Sequence, residues 1–258
     1  YFYNIMINLW FSRRYSKGWY AFWHLYNIKV YVFIKNTMEI DRKIINEIQL
    51  TSFIRNIDEL DSHSLSIVMP VFNKLDYTKN ILNQIKDKIV TDIYEIIIID
   101  DGSSDWTREY LQTLDDKRIK VIFHQKNEWV TKSWNEGINL SVWDYILVIN
   151  NDIEIFTAWF EKVLMSYLDD ETLVTCPITH DDGYFRYKKD NIAWRCWMVS
   201  KAWRSKLWPI DDRIKIWFND DYILRKTISL WWRILYIDGI FIQHYGGKTV
   251  WTPNTKSK

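Results

Sequence analysis

From Ser66 onward, apolar runs of strand length alternate with segments whose apolar residues recur at helical spacing. Residues 67–72 read as a buried strand, 75–86 as a helix, 94–99 as a strand and 107–114 as a helix. A strand at 119–124, a helix over 131–140 and a strand at 145–149 complete a βαβαβαβ series. Such alternation predicts an α/β fold with a mostly parallel, doubly wound sheet, because parallel neighbours need a crossover. Past Asp152 the pattern gives a helix at 157–168, strands at 172–175 and 192–199, a helix at 220–230 and two short strands at 233–236 and 240–243, a mixed second half. Residues 1–63 differ in character: a strand at 29–34, then a helix near 39–48 with Ile40, Ile44, Ile45 and Ile48 at helical spacing. The polar ELDSHS stretch at 59–64 marks a boundary between this N-terminal extension, or remnant of an upstream domain, and a domain over 64–258.

Composition narrows the function classes. A chain of 258 residues with 48% hydrophobic content can bury a full core. Its 34 basic and 33 acidic residues give a net charge of +1, so it lacks the field that drives nucleic-acid binding. Cys176 and Cys196 have neither metal-ligand spacing nor the density of a disulfide scaffold, which fits a reducing compartment. No apolar run reaches the roughly 18 residues that span a bilayer. The charges near the N-terminus follow its apolar part, the wrong order for a signal peptide. The expectation is a cytoplasmic protein, with peripheral contact at the inner membrane face left open.

The chemistry gathers where apolar runs end. Asp100 and Asp101 close one strand and lead into Gly102-Ser103-Ser104, a turn of exposed amides and hydroxyls. Either carboxylate could accept the N–H of a base, or simply cap the turn. Asn150, Asn151 and Asp152 close another strand; in an extended chain Asn150 and Asp152 project to one side, an oxygen pair suited to a hard divalent cation, although NND alone is more often a turn.

Order and spacing together carry a resemblance. LSIVMPVFN at 65–73, EIIIIDDGSSDWT at 95–107, NEWVTKSWNEG at 127–137 and DYILVINND at 144–152 resemble the family 2 glycosyltransferases of GT-A fold, over about residues 65–250. The resemblance implies that Pro70, Val71, Phe72 and Asn73 border a nucleotide and that Asp100 or Asp101 holds its base. It sets Lys132 and Asn135 near that nucleotide and makes Asn150-Asn151-Asp152 the counterpart of a D-x-D motif, with Asp152 the retained ligand of Mg²⁺ or Mn²⁺. Asn in place of the first Asp lowers the negative charge there. WFNDDYILRK at 217–226 resembles the acceptor-side acidic motif, making Asp220 or Asp221 the general base, with Asp220 favoured; a helix cap is the plain alternative. QHYGGKT at 243–249 resembles the C-terminal H-x-G-G segment, where His244 would touch metal or diphosphate and Lys248 would offset phosphate charge. The implied reaction is inverting transfer from a nucleoside-diphosphate sugar to a glycan, lipid-linked or protein acceptor, with cell-envelope polysaccharide favoured.

Rival classes fit less well. A sugar-phosphate nucleotidyltransferase, a dinucleotide-binding domain or a methyltransferase would place a Gly-rich turn after the first strand, where VFNKLDYTKN stands. A carbohydrate-binding or degenerate transferase module is consistent with Asn150, but Asp152, Asp220 and Asp221 are all present. One compositional oddity cuts across these readings. The chain has 16 Trp and 7 Gly, where about 7% Gly, roughly 18 residues, is ordinary. Trp106, Trp129, Trp143 and Trp208 fall at turns or helix starts, and the family alignment puts glycine there and at 194. The expectation is that a codon read as glycine in the source, UGA, has been written as tryptophan; the alternative is a truly aromatic-rich protein with sugar-stacking surfaces.

Overall fold

The computed structural model describes residues 29–34, 37–44, 63–92, 94–156, 158, 160–169, 172–181, 195–215, 219–231 and 233–245. In chain order the elements are β1 (Lys29–Ile34), β2 (Thr37–Ile44), β3 (Leu65–Val71), α1 (Leu75–Lys88), β4 (Tyr94–Asp100), α2 (Thr107–Gln112), β5 (Ile119–Phe123), α3 (Val130–Leu140), β6 (Tyr145–Ile149) and β7 (Ile153–Ile155). They continue with α4 (Phe160–Ser166), β8 (Thr172–Asp181), β9 (Cys196–Ser200), α5 (Lys201–Leu207), α6 (Asn219–Ser229) and β10 (Arg233–His244).

One sheet joins the strands in the order β2-β1-β10-β8-β9-β6-β3-β4-β5, with β7 paired to β10. Strands β6, β3, β4 and β5 are parallel neighbours, the doubly wound half expected from the alternation. The second half is mixed: β9 is antiparallel to both β6 and β8, while β10 runs parallel to β8.

Two apolar layers explain why the strands read as unbroken hydrophobic runs. Leu65, Ile67 and Met69 of β3 enter one core with Ile96, Ile98, Leu147 and Ile149, and the intervening Val68 joins Ile146, Val148, Trp134 and Trp197 in the other. A strand covered on both faces has no polar side to show. Helix α1 buries Ile81, Leu82 and Ile85 in the first layer, and α3 buries Trp134 and Ile138 in the second. The α3 backbone comes so near β3 that a Cβ at Gly137 would lie 2.3 Å from Val68 Cγ1. Asp76 in the first turn of α1 and Lys86 and Lys88 in its last turn match the helix dipole.

Two expectations change. The span near 39–48 is not helical where it is described: Thr37–Ile44 is a strand antiparallel to β1, with Lys29 opposite Ile44. Met38, Ile40 and Ile44 fit a period of two as well as a helical one, and pairing decides between them; residues 45–48 lie outside the described set. The two short strands at 233–236 and 240–243 are one continuous β10, whose pairing with β8 shifts register between Ile237 and Ile242. Strands β1 and β10 pair antiparallel, so residues 29–34 extend the edge of the same sheet.

Candidate functional site

Strand order reverses between β3 and β6, and their C-terminal ends open side by side there. Ligands of open α/β sheets bind at such a switch point. The ends of β3, β4 and β6 bring Pro70–Asn73, Asp100–Asp101 and Asn150–Asp152 to one edge, as their positions after apolar runs suggested.

Hydrogen bonds knit the first two of these ends into one unit. Asn73 and Lys74 both take left-handed backbones (φ 57° and 65°), which turn the chain from β3 into α1. Asn73 N donates to Ser103 Oγ (2.7 Å), and Asn73 Oδ1 accepts from the amides of Ser104 (2.7 Å) and Asp105 (3.3 Å). Lys74 N donates to Asp105 Oδ2 at 2.7 Å. Burial pushes the Asp105 carboxyl up, but Thr107 and the amides of Lys74 and Leu75 outweigh it and hold it below its ordinary value. Asn73 therefore shapes the turn that forms the wall of the site. Val71 is buried, and Pro70 and Phe72 are half-buried beside it.

The two aspartates behave differently. Asp100 is fully buried; Oδ1 accepts from Ser103 N (3.0 Å), as a turn cap would, and Oδ2 has no hydrogen-bond partner but lies 3.6 Å from Arg108 Nε. Asp101 anchors the loop leading into α3: Oδ1 accepts from Glu128 N (2.7 Å) and Oδ2 from Trp129 N (2.9 Å). His124 Nδ1 also lies 2.7 Å from Asp101 Oδ1, and its Nε2 lies 2.7 Å from Glu136 Oε2. Burial raises the Asp101 carboxyl above its ordinary value, against the pull of the Glu128 amide and His124. Sequence reasoning missed His124 and Glu136. A histidine directly after an apolar strand of this edge was the available signal.

This loop comes very close to the turn after β4. At Gly102, whose φ is 77°, a Cβ would sit 2.5 Å from the carbonyl carbon of Lys126, so only glycine fits. Residue 129 is the N-cap of α3 with φ 77° and ψ 156°, a conformation populated essentially by glycine alone. The Trp129 side chain does meet the Lys215 ammonium, 5.4 Å from its ring. Such an exposed contact is worth about 0.5–1 kcal/mol, against backbone strain of about 1–3 kcal/mol. Trp106 (φ −70°) and Trp208 (φ −84°) have ordinary backbones, and Trp143 has no positive φ. Conformation therefore supports glycine at 129 but not at those three; Trp194 lies outside the described residues.

Lys132 pairs with Glu128 one helical turn earlier, at 3.2 Å. Asn135 has a structural task not visible in the sequence: its Nδ2 donates to Ile210 O (2.8 Å) and its Oδ1 accepts from Ile210 N (3.0 Å), tying α3 to the loop after α5.

At the end of β6, residues 151–152 form a turn, so the extended-chain argument for Asn150 and Asp152 does not hold. Asn151 turns inward and donates to Thr78 Oγ1 of α1 (3.0 Å). The Oδ1 atom of Asn150 is buried without a partner. Asp152 and His244 are both nearly fully buried, with His244 Nε2 3.2 Å from Asp152 Oδ2. Tertiary structure creates this pair from residues 92 positions apart, through antiparallel pairing of His244 with Ile153. Tyr245 N donates to Asp152 O (3.0 Å), and the Tyr245 hydroxyl, hydrogen-bonded to Glu154, is pushed up to about 12 by that contact and by burial. A carboxylate and an imidazole together form a donor pair that suits a divalent cation. No cluster of three or more His, Cys, Asp or Glu is present among the described residues. Any cation would therefore take further ligands from its substrate or water.

Asp220 and Asp221 are the second and third residues of α6, which places both at its N-terminal end. Asn219 beside them is buried and its Nδ2 lies 3.5 Å from Thr131 Oγ1 of α3. The side chains of both aspartates lie outside the described residues, as does Lys248.

Comparison with known proteins bears on the family and the fold. "Putative glycosyltransferase EpsH" of Bacillus subtilis is 31% identical over 121 residues, 45% of this chain and 34% of that protein. A dolichyl-phosphate beta-glucosyltransferase of Dictyostelium discoideum is 30% identical over 129 residues, 46% of this chain and 39% of that one. The matches thus span well under half of these relatives' lengths. A mannosyltransferase from Pyrobaculum calidifontis, solved with GDP-Man and Mn²⁺, superposes with a TM-score of 0.61 at 11% identity, covering 78% of this chain and 65% of that one. GalNAc-T7, solved with UDP, GalNAc and Mn²⁺, gives 0.58 at 14%, covering 71% and 44%. The model of "Glycosyl transferase family 2" matches residues 66–226, more than half of the chain, and the protein belongs to that family.

Proposed function

We propose that this glycosyltransferase moves a sugar from a nucleoside diphosphate to an acceptor hydroxyl with inversion, using the β3–β6 edge for the donor and the start of α6 for the acceptor. The observation that carries this reading is the convergence of Asp152 and His244 at 3.2 Å beside the switch point. Two structural neighbours were solved with Mn²⁺ and nucleotide or nucleotide sugar, which supports a similar donor here. A cation held by Asp152 and His244 would neutralise charge on the departing diphosphate.

The chain's own residues take the other tasks. The unit formed by Asn73 and Ser103–Asp105 walls the nucleotide. A carboxylate has about four lone-pair sites, and Asp101 gives three to Glu128, Trp129 and His124. The fourth, on Oδ2, is assigned to a base N–H. One of Asp220 and Asp221, Asp220 preferred, removes the acceptor proton as its oxygen attacks the anomeric carbon opposite the diphosphate. The acceptor is assigned to a cell-envelope glycan on family resemblance. Among the described residues no helix is long and apolar enough to cross a membrane.

The test is a thermal-shift series with UDP, GDP, dTDP and CDP, with and without Mn²⁺, followed by nucleotide-sugar hydrolysis. A ligand that binds only the folded chain raises its stability. Stabilisation by one diphosphate that Mn²⁺ strengthens, plus hydrolysis lost in Asp152→Ala, is expected. A folded chain that responds to none of the four is a degenerate or carbohydrate-binding module instead.

A further inference from the structure

The His124 ring is nearly buried and spans two carboxylates, Asp101 and Glu136, at 2.7 Å each. Both ring nitrogens can donate at once only in the imidazolium form. Its backbone is fixed as well: His124 N donates to Asp100 O (2.9 Å), and Arg108 Nη2 donates to His124 O (2.9 Å). The charged groups facing it are therefore Asp101 from the turn after β4, Glu136 from α3, Glu128 from the intervening loop and the Arg108 guanidinium from α2. Glu136 is the partly exposed member of the trio, with 36% of its side chain accessible.

We propose that His124 is a positioning residue for donor binding: as a doubly protonated strut from Glu136 it fixes the Asp101 carboxylate that grips the 128–129 loop and faces the nucleotide base. This rests on the donor-site reading given above. A strut of this kind predicts weaker donor binding with little change in the chemical step. Burial pulls the imidazole down, but its bonds to Glu136 and Asp101 outweigh that and raise it above its ordinary value of 6.5. Donor binding should thus be strong below that raised value and weaken as pH climbs through it.

The test is diphosphate affinity, with Mn²⁺, across pH for the full chain, His124→Ala and His124→Asn. The Asn amide can still donate to Asp101. His124→Ala is expected to weaken binding about tenfold, and His124→Asn to recover part of that while losing the pH dependence. Equal affinity and an unchanged pH profile in His124→Ala, with wild type binding normally, would overturn the strut but leave the donor reading intact. If wild type binds none of the four diphosphates, the donor reading itself falls. Circular dichroism separates misfolding from either result, and for a misfolded alanine variant the pH profile of His124→Asn decides.

A second, independent observation concerns backbone conformation. Four non-glycine residues among those described have positive φ: Asn73, Lys74, Trp129 and Trp231. Asn tolerates this region, whereas Trp there is an outlier. Trp231 (φ 66°) is 71% exposed and follows the C-terminal turn of α6, the place where helices end on glycine. By contrast Trp134, Trp197 and Trp203 fill the second core layer. We infer that residues 129 and 231 are glycine in the working protein, from UGA codons decoded as glycine. Mass spectrometry of the tryptic peptide over 127–132, taken from the native cells, should show glycine at 129, and tryptophan there would overturn the inference. In recombinant protein, Trp129→Gly and Trp231→Gly should raise Tm; a fall in both would count equally against it.

Discussion

The two halves of the sheet reach one fold by different means. In β6-β3-β4-β5 every neighbour is parallel, and alternate residues of β3 and β6 serve two apolar layers. Across β9, β8 and β10 the directions mix, and the core packs tryptophans among aliphatic residues: Trp197 lies edge-on to both Trp134 and Trp203, with centroids 5.7 Å apart. The first half presents polar strand ends along one edge. The second supplies single residues to that edge from far along the chain, His244 above all. A local rule builds the first kind of site, whereas only strand pairing builds the second.

If the aromatic core carries the mixed half, Trp197→Ala should destabilise the protein by about 3–5 kcal/mol, measured by urea unfolding. An isoleucine of the parallel half, Ile98→Ala, should cost about 2–5 kcal/mol; a much larger loss at Ile98 than at Trp197 would reverse the comparison. Where the halves meet, Asp152→Ala should reduce sugar transfer about 10²–10³-fold, or 2.7–4 kcal/mol on the scale of a lost charge-stabilising group, while unfolding stays cooperative. Asn135→Ala removes both hydrogen bonds between α3 and Ile210 and should cost about 1–3 kcal/mol. Equal stability would mean that the halves are coupled elsewhere.

The smallest expected effect is that of pH on the parallel half. His124 has a folded value raised above 6.5. Its contribution to stability is therefore complete below 6.5 and disappears as pH rises through the raised value. Chemical-denaturant midpoints of wild type and His124→Asn should diverge at low pH and converge at high pH. The opposite trend would place the imidazole in its neutral form.

The parallel half, its helices and the edge where its carboxylates gather were legible, because a strand buried on both faces is written as a continuous apolar run that stops where the polar strand end begins. The span of β2 fits a helix as well as a strand, because Ile40 and Ile44 satisfy both periods and only the β1 ladder selects one. The division of labour between Asp100 and Asp101 was not legible either, since identical neighbours acquire different partners only when the 128–129 loop and His124 arrive from elsewhere.

The α/β class, the polar strand ends and the family follow from the order of residues along the chain. The tertiary structure decided which of those groups meet. Asp152 finds His244, Asp101 finds His124 and Asn135 finds Ile210 because β-ladders and helix docking join residues 92, 23 and 75 positions apart. Spacing along a chain encodes local periodicity, but contact at such separations is fixed by which strands pair and in what register.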